Sequence, residues 1–331
     1  MPADAVTHHN LAVALQAKGD QTAAIAEYRE ALRLYPGFAE AHHGLGLALA
    51  SQGEIDAAIV EYQAILAIHP DHAVARGNLG EALETKGDLD GAIREFREAL
   101  RLQPDLWIVH NNLGIALKNT GHLDSAIAAY QEAIRLQPDN PVPHNNLGIA
   151  LQANGDLDGA ITAYQTAFRL QSDPTAAQYG LNLGNALLAK GDPEAAGALF
   201  QTVLRLRPDL AEAHLQLALA LQTQNDLAGA ISSYHNALRL QPDNAITYVN
   251  LGVALQRSGD LEGAIDAYRR ATELQTEMAI AHYNLGMACL ASGKRQQAVQ
   301  AFSEFLRMTP NKPEHRDKIE KATARLEELS R

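Results

Sequence analysis

The chain has 331 residues, a formal net charge of −12 and an aromatic content of 5%. Because an acidic chain repels phosphates on average, this charge argues against DNA and RNA as partners. No uncharged apolar run reaches the roughly 18 residues of a membrane span, and a lone cysteine cannot form an intrachain disulfide. The N-terminus also lacks a basic segment followed by an apolar core, so we expect no signal peptide, no membrane insertion and a cytoplasmic, reducing location.

From the N-terminus the chain reads as pairs of short helices with a period of 34 residues. Prolines that can stop the second helix of a pair lie 34 residues apart at Pro36, Pro70, Pro104 and Pro138. The series continues with Ser172, Pro208, Pro242, Thr276 and Pro310. The step from Ser172 to Pro208 is 36 residues, so two extra residues are expected just before the sixth unit.

Other residue types keep the same period. Each of nine units has a Leu-Gly or Leu-Ala pair, then an alanine twelve residues after the pair, then an aromatic residue four positions further on. The aromatic residues are Tyr28, Tyr62, Phe96, Tyr130, Tyr164, Phe200, Tyr234, Tyr268 and Phe302. This pattern resembles the 34-residue tetratricopeptide repeat (TPR), and the resemblance covers residues 5–312.

The unit at residues 107–140 illustrates the physical basis of the pattern. Helices are expected over 107–120 and 123–136, and Gly121 between them is the left-handed stop typical of a helix C-terminus. In the second helix apolar residues recur on one face. A single hairpin cannot bury such faces alone, so neighbouring hairpins are expected to stack and share a core.

The predicted fold is therefore all-α. The resemblance implies a right-handed TPR superhelical solenoid of nine helix-turn-helix repeats, followed by a C-terminal capping helix. Repeats 1–5 are expected in residues 5–174, a two-residue insertion and possible joint at 175–176, repeats 6–9 in 177–312, and the capping helix in 313–331. No comparable cap precedes Ala5, so a homo-oligomer formed through the uncapped N-terminal repeat is one expectation.

Histidines share one position on the first helices of six repeats: His8, His42, His110, His144, His214 and His282. Equivalent residues in adjacent repeats lie about 8–10 Å apart, so they cannot share a zinc ion with nitrogen ligands at about 2.0–2.1 Å. The family pattern implies instead that this position packs between helices. With no catalytic motif in the sequence, we expect no metal, no cofactor and no enzymatic activity.

An asparagine recurs at one first-helix position in seven of the nine units: Asn10, Asn78, Asn112, Asn146, Asn182, Asn250 and Asn284. Asparagine is a poor residue for a helix interior, so its recurrence needs a reason. The row resembles the asparagine ladder on the concave face of O-linked N-acetylglucosamine transferases, which bonds the backbone of an extended polypeptide. An amide can pair with any main chain because it both donates and accepts. The alternative is that each amide bonds a neighbouring repeat.

Further residues are expected to face the same groove. Asn111 and Asn145 precede two members of the row, while Lys118 and Gln152 lie six residues after them. The position four residues before the row carries no basic residue in any asparagine-bearing repeat, being Val6, Val74, Ile108, Val142, Gln178, Ile246 and Ile280. The clamp for a C-terminal carboxylate found in chaperone-binding TPR domains is therefore not expected.

Three functional interpretations remain open on sequence alone. The leading one is a non-catalytic protein–protein interaction scaffold that binds extended peptide segments in its concave groove. The second is the substrate-recognition arm of a larger glycosyltransferase-like enzyme. The third is a self-assembling TPR scaffold.

Overall fold

The computed structural model describes residues 2–171, 174–310 and 312–330. Those residues form nineteen α-helices and one short 3-10 helix, with no β-strand among them. The all-α prediction is confirmed. Ser172 and Asp173, which the period places at the end of the fifth unit, lie outside the described residues.

The chain divides into two compact units, and the first spans Met1–Leu170. It contains ten helices in the described residues, which form five consecutive hairpins. Their bounds are α1 (Ala3–Ala17), α2 (Gln21–Leu34), α3 (Ala39–Ser51), α4 (Ile55–Ile68), α5 (Ala73–Lys86), α6 (Leu89–Leu102), α7 (Trp107–Asn119), α8 (Leu123–Leu136), α9 (Pro141–Ala153) and α10 (Leu157–Leu170).

The second unit spans Gln171–Arg331. Its described part holds four hairpins and a final helix. The bounds are α11 (Ala176–Lys190), α12 (Pro193–Leu206), α13 (Ala211–Thr223), α14 (Leu227–Leu240), α15 (Ala245–Ser258), α16 (Leu261–Leu274), α17 (Ala279–Ala291), α18 (Arg295–Met308), the 3-10 helix Pro313–His315 and α19 (Arg316–Ser330). The two-residue insertion and joint expected at 175–176 stay a prediction.

Capping interactions fix where each hairpin turns. Gly121, between α7 and α8, has φ of +81°, a left-handed conformation that a residue without a Cβ adopts without strain. Aspartates then cap several of the second helices. In α6, for example, the Asp88 carboxylate accepts a hydrogen bond from the N–H of Gly91 at 2.9 Å. The loop chemistry thus sets the helix bounds locally.

Close packing within each hairpin depends on the periodic glycine and aromatic residue. A Cβ built on Gly114 of α7 would lie 2.5 Å from Cε1 of the Tyr130 ring on α8. Because that distance is far below van der Waals contact, the missing side chain is what lets the ring lie against the helix. Tyr130 is buried as a result. The same pairing recurs at Gly80 with Phe96 and at Gly148 with Tyr164.

Contacts between neighbouring repeats are asymmetric, and this asymmetry defines a face. The first helices α5, α7 and α9 touch one another in succession. Among the described residues of unit 1, no two successive second helices make a comparable contact. The first helices therefore crowd together on one side of unit 1, as they would on the inner side of a curve. We call that side the first-helix face.

The chain's last helix covers the end of the final repeat. Ala322 of α19 is fully buried, and Ile319, Leu326 and Leu329 pack against the core that includes Phe305 of α18. The expected capping role of this segment follows from that contact, because it removes an otherwise exposed apolar end from water.

Candidate functional site

The asparagine row lies on the first helices in both units. In unit 1, Asn78 on α5, Asn112 on α7 and Asn146 on α9 are half-buried, while Asn10 on α1 is exposed. In unit 2 the half-buried members are Asn182 on α11, Asn250 on α15 and Asn284 on α17. A side chain that is only half-buried within its own protein keeps part of its surface available to another molecule.

Two of these amides, Asn78 and Asn146, also bond the neighbouring repeat. Asn146 Nδ2 donates to Asn111 Oδ1 at 2.9 Å, and Asn111 Nδ2 donates to Asn112 Oδ1 at 3.3 Å. Asn78 Nδ2 lies 2.8 Å from Nε2 of His43 in the preceding repeat. The alternative raised by the sequence, bonding between repeats, therefore accounts for one polar atom each of Asn78 and Asn146, whereas the bond of Asn112 lies within its own helix.

The other polar atom of each amide is unused within unit 1. Asn78 Oδ1, Asn112 Nδ2 and Asn146 Oδ1 have no hydrogen-bond partner among the described residues. Asn111 is buried and sits between Asn112 and Asn146, so it fixes the orientation of both neighbours. These bonds thus hold the row in place while leaving one donor or acceptor of each amide unbonded within unit 1.

Aliphatic side chains flank the row one helical turn away. Val74, Ile108 and Val142 have exposed fractions of 40%, 53% and 41%, which is high for residues of this type on three successive first helices. On the other side of the row, Ile115 and Ile149 are half-buried. The face therefore combines a central amide row with apolar margins, a composition more typical of an interaction surface than of a solvated helix.

The three remaining predicted residues have different surroundings. Gln152 is exposed, but its Oε1 accepts a hydrogen bond from the Tyr164 hydroxyl at 3.1 Å, which ties it to the second helix of its own repeat. Lys118 is half-buried and close enough to Glu84 to act on it electrostatically. Burial raises the pKa of Glu84, the neighbouring charge of Glu81 adds to the rise, and Lys118 opposes it. Asn145 lies on α9 and is half-buried.

Sequence reasoning missed two residues that line a cleft on this face. Gly77 and Trp107 border the space between α5 and α7, beside Asn78 and Asn112. In the sequence, both residues stand out only because they differ from the residues that other repeats carry at the same positions. Gly77 occupies the position that holds His43 and Asn111 in the neighbouring repeats, and Trp107 stands where almost every other repeat has alanine.

The histidine row makes hydrogen bonds that the family pattern did not indicate. The imidazoles are half-buried and bond the preceding loop: His110 Nε2 lies 2.9 Å from the carbonyl oxygen of Pro104, and His144 Nε2 lies 2.9 Å from that of Pro138. His42 also bonds Glu61 at 2.6 Å, which raises the pKa of this histidine. The expected packing between helices stays a prediction, and the ring nitrogen adds a hydrogen bond to the loop carbonyl six residues earlier.

Two further properties of the described chain bear on its chemistry. No group of three or more His, Cys, Asp or Glu side chains in residues 2–171, 174–310 and 312–330 is arranged to hold a metal ion. Of the helices described, none has both the length and the apolar character of a membrane span.

The chain matches models of known protein families. A family model described as "Tetratricopeptide repeat" matches residues 145–211, 215–278 and 251–313, and a second with the same description matches 49–113. A model described as "TPR repeat" matches 13–53 and 120–155. No curated protein matches the chain.

Solved structures with a similar fold include two with TM-scores of 0.53. One is the APC/C hetero-tetramer Cut9–Hcn1, at 20% identity, covering 89% of this chain and 59% of that one. The other is PilF of Pseudomonas aeruginosa, at 20% identity, covering 62% of this chain and 92% of that one. YrrB, described as a TPR protein with an unusual peptide-binding site, has a TM-score of 0.49 and 20% identity over 60% of this chain and 97% of its own. At these identities the likeness establishes the fold alone.

Proposed function

The chain belongs to the tetratricopeptide repeat family, and from that premise we propose that the first-helix face of unit 1 binds peptide segments in extended conformation. Tetratricopeptide repeats are protein-interaction modules, so the chain is a protein–protein interaction scaffold. The finer proposal concerns how a partner is held. The observation that carries it is the row of Asn78, Asn112 and Asn146, each with one polar amide atom unbonded in its own unit.

The spacing of the row suits a main chain. Packed helices lie about 8–10 Å apart, and an extended chain advances about 3.3 Å per residue, so one amide is available for roughly every three residues of peptide. The row offers an acceptor at Asn146, a donor at Asn112 and one further polar amide atom at Asn78. Main-chain N–H and C=O groups can satisfy these whatever the peptide sequence.

The apolar margins of the row contribute binding affinity beyond that of the hydrogen bonds. A hydrogen bond exchanged with water contributes only about 0.5–1.5 kcal/mol, whereas burial of apolar surface contributes about 25 cal/mol per Å². Val74, Ile108 and Val142 are exposed and would be covered by a peptide that follows the amides. The amides would then fix the orientation of the peptide, while the apolar margins contribute buried apolar surface.

Simultaneous replacement of Asn78, Asn112 and Asn146 by alanine is expected to weaken peptide binding by about tenfold or more, because three hydrogen bonds are lost together. The probe is a peptide selected from a displayed random library on the full chain, and the affinity is measured by isothermal titration calorimetry. Helicity should be unchanged, since alanine is the better helix former.

A matched control replaces Arg97, Gln131 and Gln165 by alanine. These residues occupy one repeat position on the second helices α6, α8 and α10, and all are exposed. Their loss should leave the affinity for the selected peptide unchanged. An asparagine variant that binds as tightly as the wild-type chain, or a control variant that loses binding instead, would contradict the proposal.

A further inference from the structure

We propose that the cleft between α5 and α7 binds an apolar peptide side chain of about leucine or phenylalanine size that is flanked by lysine or arginine. This inference rests on the proposed function, because the cleft lies on the first-helix face beside Asn78 and Asn112. It specifies which peptide the face of unit 1 selects. Three residues that depart from the repeat pattern carry it: Gly77, Glu81 and Trp107.

Gly77 leaves the part of the cleft that it lines without a side chain. The equivalent residues in the other repeats are His9, His43, Asn111, Asn145, Leu181, Leu215, Val249 and Tyr283. A Cβ at Gly77 would already lie 2.9 Å from Cγ2 of Val109 on the next first helix. The glycine therefore lets α5 and α7 pack closely beside the cleft, whose volume is about 190 Å³.

The walls of the cleft are apolar. Val74 and Ile108 line it with exposed side chains, and the half-buried Trp107 forms another part of its lining. Trp107 is the only tryptophan in the chain, and the other eight repeats carry alanine or proline at its position. Tryptophan is enriched where binding energy is concentrated in protein interfaces. An apolar cavity of about 150 Å³ holds a benzene ring, so this one accommodates a leucine or phenylalanine side chain.

The rim of the cleft is acidic. Glu81 and Asp105 line it, and no basic side chain is among the described residues that do so. Glu81 is also the one charged residue at its repeat position, where the neighbouring repeats have Leu47 and Ile115. A cationic residue next to the apolar side chain would therefore meet two carboxylates, while an acidic neighbour would be repelled.

The test uses three short Gly/Ser peptides with central Lys-Leu-Lys, Lys-Ser-Lys or Glu-Leu-Glu, titrated into the full chain. Because Trp107 is the sole tryptophan, its fluorescence reports occupancy of the cleft directly. The Lys-Leu-Lys peptide is expected to shift Trp107 emission to shorter wavelength and to bind about tenfold more tightly than the Lys-Ser-Lys peptide. It should also bind more tightly than the Glu-Leu-Glu peptide, and the ratio of the two affinities should fall as salt is added.

Two variants assign these preferences to residues, with affinity measured by fluorescence anisotropy of labelled peptides. Trp107→Ala and Glu81→Ile each install a residue type that other repeats already carry at that position, so both are compatible with the fold. Trp107→Ala should reduce the preference for leucine over serine, and Glu81→Ile should reduce the preference for lysine over glutamate. Glu98→Ile, the same charge change on the second helix α6, should alter neither preference.

Failure of this inference is distinguishable from failure of the proposed function. If the library-selected peptide binds through the asparagine row while the three peptides show no ranking, or rankings that the two variants leave intact, the cleft assignment is overturned. If the Lys-Leu-Lys response depends on Trp107 and Glu81 but not on the asparagine row, the cleft assignment stands and the main-chain role of the amides falls.

Discussion

Truncation of Tyr268 to alanine is expected to destabilise unit 2 by about 3–5 kcal/mol, the usual cost of removing a buried aromatic side chain. Tyr268 on α16 is fully buried, and its ring lies against Gly252 of α15, where a Cβ would be 2.5 Å from Cε1. The two helices are held apart by further side chains, so the space vacated by the ring cannot close completely. Urea unfolding monitored by circular dichroism gives the change in free energy.

Tyr268→Phe is the matched control because it keeps the ring and removes only the hydroxyl. That hydroxyl donates to Gln256 Oε1 at 3.1 Å, and the loss of such a bond costs about 0.5–1.5 kcal/mol. Burial also raises the pKa of Tyr268, which agrees with a hydroxyl that stays protonated in this bond. An alanine variant no less stable than the phenylalanine variant would mean that the ring does not fill the hairpin interior.

Variants that enlarge Gly184 or truncate Phe200 are expected to produce the second large effect on stability. A Cβ on Gly184 would lie 2.4 Å from Cε1 of the Phe200 ring. Gly184→Leu should therefore cost about 1–3 kcal/mol by overpacking, despite the better helix propensity of leucine. Phe200→Ala should cost about 3–5 kcal/mol by leaving a cavity.

The double variant separates packing from propensity. The leucine at 184 can occupy part of the space that Phe200 leaves, so the double variant should be less destabilised than the sum of the single ones, with a coupling of about 0.5–3 kcal/mol. Chemical denaturation of all four proteins completes the cycle. Additive effects would indicate that the glycine and the ring act independently, contrary to the contact between them.

Local structure was largely predictable from the sequence because it depends on residues close together in the chain. For the unit at residues 107–140, helices were expected over 107–120 and 123–136, and the structure has Trp107–Asn119 and Leu123–Leu136. Gly121 ends the first helix through its own backbone conformation. The placement of the asparagines on first helices followed from the same periodicity.

Interactions between repeats were not predictable in the same way. Asn146 bonds Asn111, and Asn78 bonds His43, across 35 residues of sequence in each case. Whether an amide reaches a neighbouring repeat depends on helix separation and side-chain rotamer, which periodicity does not encode. The cleft is a further example, because Gly77 and Trp107 belong to different repeats and form it only when α5 and α7 lie side by side.

The most direct test of peptide binding by the amide row is nuclear magnetic resonance of the asparagine side-chain amides in the isotope-labelled full chain, titrated with the library-selected peptide. The account predicts that the NH₂ signals of Asn78, Asn112 and Asn146 shift together and saturate at the peptide's dissociation constant, while those of Gln131 and Gln165 on the second helices stay in place. Unmoved asparagine signals at saturation, or shifts confined to the glutamines, would contradict it.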